Sequence, residues 1–302
     1  MRETGRAYAD CFLETRPQYL LLSVILAFWG TCIAWYYQDA LNLGYALLAG
    51  IGLVLTHISV NTLNDYFDYK SGVDIKTRVT PFRGGSGILK AGLLQPRQVL
   101  TMGIVTLLLA APIGIYFIVV QGWLLLPLLI IAALCVVFYT PVILKRRWPE
   151  WSAGLGLGML PVLGAYFAQT GTYSWPAFFG AVPSFILVHN LLLLNEFPDV
   201  EADSSGGRKT LPITMGKTKT AKFYTAMTIL MYLWIIGCVV TGVSPLWILL
   251  ALLTLPFAVL AMRGSFHPED EAGIITAMKN NVLVVLATQF FLGAGYLLAV
   301  IG

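Results

Sequence analysis

The sequence predicts an all-α membrane protein, a bundle of nine transmembrane helices with the N-terminus cytoplasmic and the C-terminus outside. Three observations predict it. First, the 302 residues are 58% apolar and only 11% charged, with a mean hydropathy of +0.77. Soluble domains carry about 25% charged residues, so this chain has too little charge to cover an aqueous surface. Second, apolar segments close to the ~20 residues needed to cross a bilayer recur along the whole length. Third, the basic residues are confined to alternate connections, as the positive-inside rule requires.

Taken in order, the apolar segments are 19–37, 43–66, 98–119, 122–143, 152–170, 174–196, 221–241, 244–262 and 281–300. Links near Asp39, Gln121, Gly171 and Gly242 are very short. Those at 67–97, 144–151, 197–220 and 263–280 are longer and polar. Residues 1–302 read as one polytopic domain. The polar lead-in before the first segment has no small-residue cleavage site and does not read as a removable signal peptide. Four scattered cysteines (Cys11, Cys32, Cys135, Cys238) lack the spacing of a zinc site or disulfide framework.

All nineteen Lys and Arg lie in the N-terminal lead-in or near the four longer loops. An error in the number of helices would scatter them over both faces. Acids are subject to no such topological rule, yet every Asp and Glu except Asp39 falls on the same side. A functional surface is therefore expected at the cytoplasmic border.

Two acidic clusters stand out there. The second segment ends in Asn61-Thr-Leu-Asn64-Asp65-Tyr-Phe-Asp68, with Asp74 shortly after. Helical spacing puts Asn61, Asp65 and Asp68 on one stripe with Asn64 beside them. The sixth segment ends in Asn195-Glu196-Phe-Pro-Asp199-Val-Glu-Ala-Asp203, where Asn195, Asp199 and Asp203 again recur every fourth residue and Pro198 disturbs the helix. Acids at a membrane border are costly and functional when they face the bundle interior. Carboxylate and amide oxygens suit Mg²⁺, which binds through a few carboxylates plus substrate phosphates. Two clusters in different halves of the chain suggest two metal sites flanking one polyanion. Solvated helix-end acids are the plainer reading of either cluster alone, but not of a matched pair.

Cations complete the pattern. Arg83 follows the first cluster, Arg208 and Lys209 follow the second, and Lys145 ends the fourth segment after Tyr139. Such cations neutralise a departing diphosphate, although cytoplasmic loops are basic in any case. Gly84-Gly-Ser-Gly87 lacks the ending of a Walker loop and reads as a flexible cover. His57, His189 and His267 show no ligand spacing and read as packed or capping residues.

The Asn64-Asp65-Tyr-Phe-Asp68 run with Asp74, the Asp199-Val-Glu-Ala-Asp203 run and the nine segments resemble the UbiA superfamily of intramembrane prenyltransferases over essentially the whole chain. The family's NDxxD-type motif falls on Asn64, Asp65 and Asp68, and its DxxxD-type motif on Asp199 and Asp203. A further Asp expected four residues after Asp68 is Gly72 here, leaving Asp74 as the nearest substitute. The run through Asp74 and the Gly-Arg208-Lys209-Thr-Leu-Pro stretch are most similar to the menaquinone-type and UbiA-domain-containing branch.

The resemblance implies a polyprenyl diphosphate ionised with Mg²⁺, in two ions, held by Asp65, Asp68, Asp199, Asp203 and more weakly Asp74. Lys145, Arg208 and Arg83 would stabilise the leaving diphosphate, with Lys209 beside them, and Asn61, Asn64 and Asn195 would orient it. Tyr139 would face the allylic cation with its ring or simply anchor the interface. The acceptor would be aromatic, as in quinone synthesis within a prokaryotic cell membrane. A glycerol phosphate ether-lipid acceptor is the alternative within the superfamily. A cation-coupled transporter is disfavoured because the acids sit at helix ends rather than the midplane, and an alcohol phosphotransferase because its long acidic signature is missing.

Overall fold

The structure, a computed structural model, describes residues 2–76 and 85–302; the expected ligand Arg83 and the start of the glycine run lie outside the described residues. A short helix α1 (Arg2–Glu14) leads into α2 (Pro17–Gln38) and α3 (Leu43–Ser71), which a one-turn helix α4 (Val73–Lys76) follows. Next come α5 (Pro96–Gln121) and α6 (Leu125–Phe138). The second half comprises α7 (Glu150–Thr170), α8 (Trp175–Asn195), short α9 (Val200–Ser205) and α10 (Leu211–Met215), α11 (Lys217–Val240), α12 (Leu246–Ser265) and α13 (Glu271–Ile301). Eight of these are long and apolar enough to cross a membrane.

The fourth expected span is the exception. Only 14 residues of segment 122–143 form α6, about 21 Å of helix against a hydrocarbon core of about 30 Å. Hydropathy is blind to the cause. Pro141 has no N–H to donate and disfavours helix at the residue before it, so the chain leaves α6 at Tyr139 and turns through Thr140 towards a 3₁₀ turn at Ile143–Lys145.

Helix ends follow local rules. Pro17 opens α2 in the first-turn position that needs no N–H donor. The Asn42 side chain accepts the Tyr45 N–H at 3.0 Å to cap α3, and Ser174 does the same for Ala177 on α8 at 3.2 Å. Gly72 ends α3 in the left-handed conformation at φ 78°. The departure from the family spacing at this position is thus also the helix stop.

Two central helices, α2 and α7, bury most of their length, whereas α5 leaves Leu108, Leu109, Ile115 and Val119 exposed as a lipid-facing surface requires. Trp29, Tyr166 and Phe167 are fully enclosed between α2 and α7. In the second half, polar side chains tie helices together. Asn190 donates to Thr228 at 3.0 Å, Tyr224 donates to Asn281 at 2.9 Å, and Asn281 donates back to the Asn190 carbonyl at 3.1 Å.

The packing of α7 on α8 fixes the site. Residues Gly154–Met159 form a π-helical stretch within α7, a widening frequent at functional sites. A Cβ at Gly154 would lie 2.6 Å from the Phe185 carbonyl oxygen, and one at Gly158 2.6 Å from that of Ser184. Only glycine allows this approach of two backbones. Gly158→Ala is expected to cost about 1–3 kcal/mol through overpacking, read as a lower melting temperature in detergent. Gly237→Ala, with nothing within 4 Å, should leave melting unchanged or raised.

Candidate active site

Helical periodicity carries the first cluster inward. Asn61, Asp65 and Asp68 are buried on α3, and Asn64 lies beside them, donating to Asp68 Oδ2 and to Thr140 Oγ1 at 3.0 Å each. The second cluster arrives differently. Helix α8 ends at Asn195, Pro198 falls in a turn, and Asp199 opens α9, whose Asp203 N–H donates to the Asp199 carbonyl at 2.8 Å. Asp203 is buried and Asp199 half-buried.

Arginine joins the clusters. Arg208 Nη1 donates to Asp203 Oδ1 at 2.7 Å, and its Nη2 pairs with Asp68 Oδ1, so one guanidinium bridges the two halves of the chain. Burial disfavours its charge, but Asp68 and Asp203 outweigh that and raise its pKa. Burial raises the Asp203 carboxyl, and Arg208 partly offsets it. A planar fork suits this double pairing better than an ammonium could.

A second arginine was read in the sequence only as a topological charge. Arg16 holds Asp65, and it does so from a left-handed backbone at φ 55°, a conformation costly for a residue with a Cβ and concentrated at functional sites. Its neighbours form a cover. Glu14 accepts from Ser86 Oγ at 2.6 Å, Asp65 accepts from the Ser86 N–H at 2.8 Å, and the Thr15 carbonyl accepts from Asn61 Nδ2 at 3.1 Å. Burial, then Asp65, pushes the Glu14 carboxyl up to about 8. Burial followed by Asp68 and Asp65 pushes Asp74 up to about 7. Gly85, at φ 69°, lies where a Cβ would come within 3.2 Å of Arg16, Asp65 and Asp74. The glycine run therefore does approach the acids, through Gly85 and Ser86.

A cavity of about 240 Å³ opens beside these groups. Along α3 its lining runs from His57 and Val60 to Asp68, about 16 Å of helix. Asn61, Asn64, Asp68, Asp74, Asn195, Asp199, Asp203 and Arg208 give it a polar end. Leu22, Val136, Leu157, Leu191, Val285 and Leu286 give it an apolar one. Tyr139 lines it too, and burial, then Glu196, raises its phenol well above the ordinary range.

Not every expected residue is there. Lys145 is exposed and lines a neighbouring hollow with Asp68, Lys70 and Arg208. The Lys209 side chain is also exposed, and its backbone N–H donates to the Leu144 carbonyl at 3.0 Å. Nor do three acids converge at metal-binding distance among the described residues; the arginines separate them. The donor set still fits Mg²⁺, with carboxylate and amide oxygens from both halves and an Asn195 Oδ1 that is buried without a partner.

A transmembrane bundle whose acidic clusters meet at one end of a half-apolar cavity defines a class of enzyme that handles an anionic head and a lipid tail. Residues 23–298 match the UbiA prenyltransferase family, and the chain belongs to it. It is a prenyltransferase and a multi-pass integral membrane protein. Among its relatives is the 1,4-dihydroxy-2-naphthoate octaprenyltransferase of Bacillus subtilis, 29% identical over 94% of this chain and 91% of that one. The fold is shared with the apo structure of a UbiA homologue from Aeropyrum pernix K1, at TM-score 0.69 and 16% identity over 93% and 98% of the two chains. It is also shared with an Archaeoglobus fulgidus UbiA homologue bound to DMAPP and Mg²⁺, at TM-score 0.59 and 12% identity over 96% and 99%.

Proposed function

We propose that this protein moves a polyprenyl group from its allylic diphosphate to a hydroxylated aromatic acid of the dihydroxynaphthoate type, as in menaquinone-type lipid synthesis. The observation that carries this is the cavity itself, acidic and amide-rich at one end and lined largely by apolar side chains beyond it. An isoprenoid tail fits the apolar part and a diphosphate head the polar part. The name of the Bacillus relative supports the acceptor, and the DMAPP and Mg²⁺ of the Archaeoglobus structure support the donor and the metal.

Asp65, Asp68, Asp199 and Asp203 would hold Mg²⁺, as two ions, with Asp74 assisting. Bound there, the metal supplies positive charge to the diphosphate oxygens and favours departure of the leaving group. Asn61, Asn64 and Asn195 orient the head group. Arg208 and Arg16, released from the carboxylates, take up charge on the departing diphosphate, with Lys145 and Lys209 nearby at the rim and Arg83 as a further expected cation. As the allylic C–O bond breaks, its electrons leave with the diphosphate. The acceptor ring then attacks the allylic carbon to form a C–C bond while Tyr139 shields the cation with its ring face. The ring regains aromaticity as the attacked carbon loses its proton, or carbon dioxide where it carries a carboxyl. Charge placement supports a cytoplasmic location for this end of the bundle. One domain carries the whole reaction.

Purified protein given Mg²⁺, an allylic polyprenyl diphosphate and 1,4-dihydroxy-2-naphthoate should release diphosphate and form a prenylated naphthalene. EDTA should abolish release and excess Mg²⁺ restore it. Undiminished turnover in EDTA would remove the metal from this account.

A further inference from the structure

The cavity has a second polar surface with which neither arginine forms a salt bridge among the described residues. Ser152, on the first turn of α7, is 1% exposed, and its Oγ has no partner. Glu196, just past the end of α8, is 5% exposed, and neither of its carboxyl oxygens meets a donor. Both residues line the cavity. Behind them Glu150 is fully buried, with Oε1 accepting from the Leu211 N–H at 2.5 Å and Oε2 unpartnered.

Glu150 is the carboxyl neighbour of Glu196 behind this wall. Burial and the Glu150 carboxyl accordingly push Glu196 well above the ordinary carboxylate range. The close approach of α7 and α8 at Gly154 and Gly158 brings together the two helices from whose ends these groups project. Asp65, Asp68 and Asp203 each take an arginine, but Glu150 and Glu196 have no salt bridge among the described residues.

Leaving a buried polar atom unbonded costs about 1–3 kcal/mol, so several on one cavity wall point to a ligand that satisfies them. Around them the wall is formed by Ala153, Gly156, Cys135 and Tyr139: small groups and a ring, suited to a flat body carrying O–H donors. The unpartnered oxygens of Glu196 and Ser152 on this wall are acceptors, which suits a ring hydroxyl that donates.

We infer that Glu196 and Ser152 form the recognition subsite for the aromatic acceptor, Glu196 accepting a hydrogen bond from a ring hydroxyl and Glu150 acting as the positioning residue behind it. This rests on the prenyl-transfer reading and adds to it the surface that orients the ring. A ring held by its hydroxyl presents a fixed carbon to the allylic cation, which is the proximity advantage an acceptor site must supply.

Steady-state kinetics of the full-length protein in detergent test this, with Glu196→Gln, Ser152→Ala and Glu150→Gln compared at saturating allylic diphosphate. Glu196→Gln should raise the KM for 1,4-dihydroxy-2-naphthoate by about 10–100-fold, the scale of a lost charge-assisted hydrogen bond, with the KM for the allylic diphosphate unchanged. Monomethyl ethers of the acceptor should be penalised by a similar factor in the wild type and hardly at all in Glu196→Gln. Ser152→Ala and Glu150→Gln should each raise the acceptor KM less, neither moving the KM for the allylic diphosphate. Quenching of tryptophan fluorescence by the acceptor in metal-free protein should weaken in parallel. An unchanged acceptor KM in both Glu196→Gln and Ser152→Ala overturns the inference while the transfer activity stands, and so does a Glu196→Gln effect confined to the Mg²⁺ requirement. Wild-type protein that prenylates no hydroxylated ring overturns the functional reading itself.

Discussion

Asp68→Ala and Asp199→Ala are each expected to lower diphosphate release by about 10²–10³-fold or more, the scale at which one electrostatic contact to a transition state is lost. The two residues come from different halves of the chain and share one cavity. Neither removal should unfold the protein. Without Asp68, Arg208 keeps Asp203 as a partner at 2.7 Å, and Asp199 is only half-buried. Diphosphate release measured beside a melting curve separates lost chemistry from lost structure. Normal turnover in either variant would contradict the assignment of the carboxylates.

Arg208→Ala has the opposite profile, because it strips two buried carboxylates of one shared partner. Breaking a buried pair from one side costs about 3–5 kcal/mol, and Asp68 and Asp203 are 6% and 3% exposed. A large fall in melting temperature is expected together with loss of activity. Arg208→Lys should recover only part, since one ammonium cannot fork between two carboxylates. The account adds a sign test. If these carboxylates bind metal, Mg²⁺ supplies the missing positive charge, so the deficit should shrink as Mg²⁺ is added. A deficit indifferent to Mg²⁺ would mean that Asp68 and Asp203 serve the fold alone.

Legibility in the sequence followed the range of the contacts. Asn61, Asn64, Asp65 and Asp68 were readable because helical spacing is local, and the break at Pro198 announced that the second cluster would straddle a turn. The coming together of the clusters had only indirect support, from charge placed on one side of the membrane. Arg16 was hidden because its partner Asp65 lies 49 residues on, and a basic residue before a first span is what topology alone supplies. Its position beside Pro17 was the available signal. Glu150 and Glu196 were not legible as neighbours, since they lie far apart in sequence on elements whose backbones touch at Gly154 and Gly158. Lys145 failed in the other direction. Its place after an apolar run suggested an inward cation, but the turn at Pro141 leaves it exposed at the rim. The same turn shortened the expected fourth span, because hydropathy records side chains and not the missing N–H of a proline.

The central claim is that this membrane cavity joins a prenyl diphosphate to a hydroxylated ring. The most direct measurement is mass spectrometry of products from purified protein, Mg²⁺ and a polyprenyl diphosphate, offered 1,4-dihydroxy-2-naphthoate, 4-hydroxybenzoate and a glycerol phosphate lipid in competition. The account predicts a prenylated naphthalene as the dominant product, matched by released diphosphate. Prenyl transfer to the glycerol phosphate lipid instead, or intact prenyl diphosphate with every acceptor, would contradict it.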